Sequence, residues 1–166
     1  MRRRTKRIVK RVVAGAIGGL AASLAMNQFQ VIWSKAEEAV SNSKTPQGED
    51  ATVKIARNIS RKVCNADLTE PQKKVAGPIV HYGFGTLLGA LYGALAETVP
   101  LTSAGYGIPY GSAVWLLADE VAVPALGLSK APNKAPIRSH IQALASHCVY
   151  GLAADLTRRA ILKKVA

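Results

Sequence analysis

The stretch Val75–Ala96 reads VAGPIVHYGFGTLLGALYGALA and contains no Asp, Glu, Lys or Arg. A helix needs about 20 mostly apolar residues to cross the hydrocarbon core of a bilayer. Three other uncharged stretches accompany it, which are Val12–Ser34, Thr98–Ala118 with the apolar continuation Val121–Leu128, and Ser139–Ala154. Together they predict an all-α integral membrane bundle of about four transmembrane helices.

Polar and basic residues divide the chain around these stretches. The predicted organisation is a basic N-terminus (1–11), a first transmembrane helix (12–34), a polar loop (35–74), a three-helix transmembrane core (75–157) and a basic C-terminus (158–166). Within the loop, apolar residues recur at helical spacing from Thr52 to Val63, which predicts an amphipathic helix. This helix lies either on lipid headgroups or against the protein's own loops.

Charge is concentrated at the two chain ends. Lys and Arg number 22 against 10 Asp and Glu, a net charge of +12. A nucleic-acid-binding domain would spread such charge over one face and interleave it with aromatic residues, which are only 5% of this chain. We therefore expect no nucleic acid as a partner. The predicted lipid-headgroup residues are Arg2, Arg3, Arg4, Arg158 and Arg159, and the positive-inside rule places both termini in the cytoplasm.

The N-terminus also has the layout of a signal peptide, with a basic region followed by apolar residues and small side chains. Its uncharged stretch continues to Trp33, which is longer than a usual signal sequence, so we favour a retained anchor. Asn27, Gln28 and Gln30 make the far end of this anchor polar. It is the weakest of the four predicted spans.

Small residues recur four apart within the core segments. Gly85, Gly89 and Gly93 form a glycine zipper, and Gly107 and Gly111 repeat the spacing. In lipid, helices associate through close packing, and glycine lets two backbones approach. These faces pack either against helices of the same chain, which we favour, or against another molecule.

Ionisable residues inside a bilayer are costly, so each one is a candidate site. The candidates are His81, Asp119, Glu120 and His147. With alternating helix directions, His81, Asp119 and His147 fall at similar depths and can meet in one layer. Asp119 and Glu120 lie either within the bilayer or at its edge.

Three roles remain open for this polar pocket. Structural hydrogen bonding ranks first, a pocket for protons or a ligand second, and a divalent metal site third. No cofactor is predicted beyond that low-ranked metal. Motifs for a nucleophile elbow, a phosphate-binding glycine loop, a zinc protease and haem attachment are missing from the sequence, so an enzyme is unsupported.

The second half of the chain resembles the YagU-like family of bacterial inner-membrane proteins, a domain of unknown function. The resemblance covers residues 75–160 and is carried by HYGFG (81–85), LYG (91–93), DE (119–120) with PALGL (124–128), and HCVYG (147–151) followed by Arg158 and Arg159. It implies the bacterial inner membrane, a helical bundle, and functional interest in His81, Asp119 and His147.

Two functions follow as hypotheses. The first is a structural or accessory subunit, whose glycine-rich faces pack within the chain, in a homo-oligomer or in a larger membrane complex. The alternative is a conduit for protons, metal ions or a small solute, which would use His81, Asp119, Glu120 and His147. A membrane-embedded enzyme ranks third.

Overall fold

The computed structural model describes residues 2–41 and 50–165, and within those ranges it is mostly helical and has no strands. Short 3-10 helices lie at Ala104–Gly107 and Pro132–Lys134. Met1, residues 42–49 in the middle of the predicted polar loop, and Ala166 lie outside the described residues. The helices are α1 (Arg2–Ser41), α2 (Ala51–Cys64), α3 (Glu70–Leu95), α4 (Pro100–Ser103), α5 (Ile108–Val114), a π-helical segment (Trp115–Ala122), α6 (Val123–Ala125) and α7 (Ile137–Lys164). The all-α prediction is confirmed.

Helix α1 runs antiparallel to both α3 and α7. Along α3, Arg11 pairs with Glu97 at one end, and Asn27 donates to the Tyr82 hydroxyl (3.2 Å) further along. Along α7, the Lys10 ammonium donates to the Val165 carbonyl oxygen at 2.8 Å. The N-terminal end of α1 and the C-terminal end of α7 therefore lie at the same end of the bundle.

Helix α3 begins where its sequence predicts a start. Gln72 Oε1 accepts the Thr69 backbone N–H at 2.8 Å and the Thr69 hydroxyl at 3.0 Å, and a proline follows at the start of the helix. A side chain that binds these otherwise unpaired groups favours helix initiation. This start fixes the register that places His81 and the glycines of α3.

The third apolar stretch is not one regular helix. Gly107 adopts a left-handed φ of +84°, a conformation that glycine adopts without strain, and α5 begins immediately after it. The π-helical segment then carries Asp119 and Glu120. The helix ends at Ala125, just after Pro124, where Gly127 adopts a left-handed φ of +70° and the Leu128 N–H donates to the Val123 carbonyl oxygen.

One described helix is long and apolar enough to cross a membrane, and it is α1, over Arg3–Val40. The four-span bundle is therefore not confirmed. The ranking of this anchor as the weakest span was wrong, because its polar end belongs to a helix that extends well beyond it. The third stretch is interrupted by the left-handed turn at Gly107 and carries two carboxylates, and α3 and α7 are diluted by glycine, tyrosine, serine and histidine.

The exterior of the described part of the bundle is rich in large apolar side chains. Ile79, Leu87 and Leu117 are between 64% and 70% exposed. The interior holds an apolar core that includes Met26, Tyr92, Tyr110 and Tyr150. The buried polar or charged residues are Ser23, Ser146, His147, Asp155 and Arg158. Water-soluble proteins rarely expose contiguous apolar surface of this kind.

Helix α2 packs on the protein itself. Val53 lies against Gly77 of α3, where a methyl group on Gly77 would come 2.7 Å from the Val53 side chain. The Lys54 ammonium donates to the Leu128 carbonyl oxygen at 2.7 Å, which joins α2 to the segment after α6. The predicted amphipathic helix is thus present, and its first turns contact α3, while Ile59 and Val63 of its apolar face are 53% and 77% exposed.

Candidate functional site

A cavity of about 700 Å³ lies between α1, the N-terminal half of α3, the π-helical segment and α7. Three of the four predicted polar residues line it, which are His81, Asp119 and His147. Apolar side chains such as Leu88 and Val114 form much of the remaining wall, and the first turns of α2 close one side. The cavity combines apolar walls with a few polar groups, so it is the candidate binding site.

His147 is held in a defined orientation. Its Nδ1 lies 2.9 Å from the Ala143 carbonyl oxygen, one turn earlier in α7. Because a carbonyl oxygen only accepts hydrogen bonds, Nδ1 carries a proton. In the neutral imidazole the free lone pair is then on Nε2, which is the atom that remains available to a ligand.

His81 is placed across from α1. Its Nε2 is buried and has no hydrogen-bond partner among the described residues. A buried polar atom without a partner costs free energy and calls for an explanation. A ligand or an ordered water molecule in the cavity would supply the missing partner.

Asp119 projects from the π-helical segment. Its Oδ2 lies 3.7 Å from His147 Nδ1, which is too long for a hydrogen bond, and its side chain is 40% exposed. A π-helical turn inserts an extra residue and changes the direction of the side chains that follow, a device found often at functional sites. Asp119 therefore faces the cavity with no firm partner.

Glu120 does not join this group. Its Oε1 lies 2.6 Å from His140 Nδ1, while His140 Nε2 lies 3.1 Å from the Pro132 carbonyl oxygen. A carboxylate and a carbonyl oxygen both accept hydrogen bonds, so this geometry suits an imidazolium at His140 paired with the Glu120 carboxylate. Glu120 is not among the residues that line the cavity, and its negative charge is balanced locally.

The cavity residues are not arranged as metal ligands. Within residues 2–41 and 50–165, no three His, Cys, Asp or Glu side chains are grouped closely enough to hold a metal ion. A metal site needs several such donors converging at about 2 Å. The geometry of the described chain therefore gives no support to the metal alternative.

Comparison with known protein families places the chain in one of them. A family model described as "Protein of unknown function (DUF1440)" matches residues 53–156, which is more than half of the chain. The chain belongs to the DUF1440 family. No curated protein and no solved structure matches it. The resemblance to the YagU-like family stays a prediction, because no named relative supports it.

The DUF1440 match covers some of the residues that line the cavity and not others. His81, Asp119 and His147 all lie within the DUF1440 segment, while α1, which contributes Ser23 and Met26 to the cavity wall, lies before it. The family segment therefore supplies the ionisable groups. Helix α1 supplies a wall against which α3 and α7 pack.

The glycines of the DUF1440 segment lie at the other end of α3, where it crosses α1. A Cβ on Gly89 would come closer than 3.0 Å to the Gly15 carbonyl oxygen and the Gly19 Cα, and a Cβ on Gly93 would approach the Arg11 carbonyl oxygen as closely. Real Cβ atoms do not approach backbone so closely. We call this backbone contact between residues 11–23 of α1 and 85–93 of α3 the glycine crossing.

A second pair of helices approaches in the same way. A Cβ on Gly111 would come closer than 3.0 Å to the His147 carbonyl oxygen, and one on Gly107 would meet the Gly151 carbonyl oxygen. The contact fixes α5 against α7 beside His147. The predicted packing glycines are thus occupied by helices of the same chain.

The sequence analysis did not single out Asp155, which is a buried charged residue. Asp155 is 0% exposed and accepts hydrogen bonds from Arg158 Nη2 (2.9 Å) and Arg159 Nε (2.6 Å). The guanidinium of Arg158 also lies over the Tyr92 ring, 5.4 Å from its centroid. The spacing of Asp155 three and four residues before two arginines was the available signal.

These contacts bear on the predicted headgroup residues. Arg158 is only 5% exposed, so its side chain faces the protein interior, which is at odds with a headgroup role. Arg159 is half-exposed, and Arg3 and Arg4 are exposed at the start of α1. The side chain of Arg2 lies outside the described residues. The physical reason for the difference is the buried carboxylate of Asp155, which needs a counter-charge.

Proposed function

We propose that this DUF1440 protein is an integral membrane bundle that binds a small solute in the cavity lined by His81, Asp119 and His147. The observation that carries the proposal is a cavity with polar groups inside a bundle whose outer surface is rich in large apolar side chains. Partly unpaired polar groups line an interior cavity of about 700 Å³, and large apolar side chains cover the outside. This is the function class that the sequence predicted as its alternative.

The apolar exterior supports the membrane part of the proposal. The exposed apolar residues include Leu24 on α1, Leu87 and Leu91 on α3, Leu116 in the π-helical segment and Leu152 on α7. They lie on all four long elements, as lipid-facing side chains would. The alternating helix directions are those of a four-span bundle, in which α3, α5–α6 and α7 cross the bilayer beside α1.

The ends of the bundle support an orientation. Arg3, Arg4, Lys163 and Lys164 are exposed at the end where both termini lie, next to the ends of α1 and α7, while Lys130, Lys134 and Arg138 are exposed at the opposite end. Basic residues beside membrane spans remain in the cytoplasm and contact anionic headgroups. We place this end in the cytoplasm of a bacterial cell and the cavity nearer the outer face.

The accessory-subunit function is the second candidate, and one observation favours it. Ile79, Gly83 and Leu87 share one exposed face of α3, and a Cβ on Gly83 would have nothing within 4 Å. A partner helix could pack on this face as closely as α1 packs on the opposite one. It ranks second because the glycines predicted for this role face the chain's own helices.

Cysteine accessibility in membrane vesicles tests the first candidate. In a Cys64→Ser, Cys148→Ser background, a cysteine is placed at Ala118, which lines the cavity, or at Ala113, which is exposed on the outside of the same helix. A charged, membrane-impermeant methanethiosulfonate reacts with thiols in water only. We expect Ala118→Cys to react faster than Ala113→Cys, because the cavity holds water and the outer face meets lipid.

Two results would overturn this proposal. Equal or lower reactivity of Ala118→Cys would mean that the cavity is closed to water. Recovery of the unmodified full-length chain from the membrane fraction by alkaline extraction without detergent would mean that lipid is not its solvent. Stoichiometric recovery of a protein partner that Gly83→Leu abolishes would instead favour the accessory function.

A further inference from the structure

We infer that the solute bound in the cavity is a lipophilic organic cation, with the Asp119 carboxylate as its counter-charge. This inference rests on the proposed function and narrows it to one class of ligand. The charged residues that line the cavity are the first observation that supports it.

The cavity lining is acidic in a strongly basic chain. Asp50 and Asp119 line it, whereas no lysine or arginine does among the described residues, although the chain contains 22 of them. Among the described lining residues the basic side chains are His81 and His147, which carry a charge only when protonated. A cation would find the Asp119 carboxylate among apolar groups, where attraction between opposite charges is stronger than in bulk water.

Asp119 differs from the other carboxylates of the core. Asp155 is held by two arginines and Glu120 by His140 at 2.6 Å, but the ion partner of Asp119 is His147 at 3.7 Å. The proton on His147 Nδ1 is already donated to Ala143. A half-buried carboxylate is stabilised when it is paired, so the site is completed by a cation brought in with the ligand.

The rest of the lining determines the body of the ligand. Apolar groups from Met26, Leu88, Val114 and Val123 surround the carboxylate, which favours a ligand with substantial apolar surface. The rings of Tyr82, Phe84 and Tyr150 also line the cavity. Aromatic faces attract organic cations, and a delocalised or quaternary cation loses little hydration when it enters.

The test compares two ions of the same shape and opposite charge. Tetraphenylphosphonium and tetraphenylborate are titrated calorimetrically into the full-length protein in a mild non-ionic detergent. We expect the wild-type protein to bind tetraphenylphosphonium, and Asp119→Asn to weaken that binding roughly tenfold or more, as expected for loss of an interaction with a charged group. Glu120→Gln is the matched control, since it removes the neighbouring charge outside the cavity and should change the affinity little.

Three outcomes overturn the inference. They are equal binding of tetraphenylborate, an affinity for tetraphenylphosphonium that Asp119→Asn leaves unchanged, and no binding of either ion. None of these outcomes depends on the labelling of Ala118→Cys. Each would therefore leave open the proposal that the cavity binds a neutral solute. Slow labelling of Ala118→Cys, by contrast, removes the cavity and the ligand together.

Discussion

Two carboxylates of this bundle, Asp155 and Asp119, differ in exposure and in their charged partners. Asp155, near the end where both termini lie, is 0% exposed and accepts hydrogen bonds from Arg158 and Arg159. Asp119, at the cavity, is 40% exposed and has His147 as its ion partner at 3.7 Å. The first is a satisfied structural charge, and the second is available to a ligand.

The backbone around them differs in the same way. Beside Asp155, Gly107 and Gly151 let the start of α5 approach α7 until backbone atoms touch, and a Cβ on Gly107 would lie 3.2 Å from the Asp155 Cβ. At Asp119 the π-helical segment replaces regular helix and a cavity of about 700 Å³ opens, although Gly111 still meets the His147 backbone nearby. The contrast teaches that closely packed helices can surround a paired charge and also border a cavity.

The largest expected effect comes from Asp155→Asn. The substitution leaves the buried guanidinium of Arg158 without its counter-charge, which costs about 3–5 kcal/mol when a buried pair is broken from one side. Thermal unfolding of the purified protein in mild detergent measures it. Arg159→Gln is the control, and it should cost less than about 1 kcal/mol because Arg159 is 49% exposed. Equal effects of the two variants would contradict the structural role of Asp155.

Gly89→Ala should have the next largest effect. The added methyl group meets the backbone of Gly15 and Gly19, which cannot move aside as a flexible side chain would. Overpacking of this kind costs about 1–3 kcal/mol, and the same unfolding measurement reports it. Gly83→Ala adds the same group to open space on the same helix and should not destabilise. If the two alanines behave alike, the glycine crossing is not what holds α1 to α3.

Asp119→Asn should change stability by less than about 1 kcal/mol, since its carboxylate makes no hydrogen bond that the structure shows and is partly exposed. Asp119→Asn and Asp155→Asn make the same chemical change at two places in one bundle, so the difference between their effects on stability measures the difference between the two sites. A destabilisation by Asp119→Asn as large as that by Asp155→Asn would show that Asp119 is a structural charge.

The smallest expected effect is a pH dependence of the turn between α2 and α3. A hydrogen bond from Arg61, with others from the Leu68 N–H and Arg57, lowers the pKa of Asp67 from 3.8 to about 2. A lowered pKa in the folded state stabilises the turn above pH 3.8, and this contribution is lost as the pH falls through about 2.

Hydrogen–deuterium exchange of α2 measures this dependence. We expect slower exchange in the wild-type protein than in Asp67→Asn at pH 5, and a smaller difference between them as the pH is lowered towards 2. Comparison at each pH removes the intrinsic effect of pH on exchange. A difference that is the same at both pH values would show that Asp67 does not stabilise the turn through its charge.

Much of the fold could be predicted because its signals are local. The long uncharged segments and the apolar spacing from Thr52 to Val63 predicted helices, and the structure has helices there. The number of membrane spans could not be settled in the same way. Hydropathy along single helices selects only α1, since glycine, tyrosine and histidine lower the values of the others.

The candidate site was predictable in composition and not in arrangement. Rarity of ionisable residues in apolar segments was enough to single out His81, Asp119, Glu120 and His147. It could not separate the two adjacent carboxylates, because the π-helical segment that sends Asp119 to the cavity and Glu120 to His140 depends on the packing of α5–α6 against its neighbours. Nor could it show that Asp155 is buried.

The sequence by itself determined that this chain is helical, which residues are small enough for close helix contacts, and which polar groups lie in apolar surroundings. Each of these depends on residues within a few turns of one another. Only the tertiary structure decided that Gly89 meets Gly19, that Arg158 turns inward to Asp155, and that a cavity remains beside Asp119. Those features depend on contacts between helices far apart in the chain, where no local pattern records the partner.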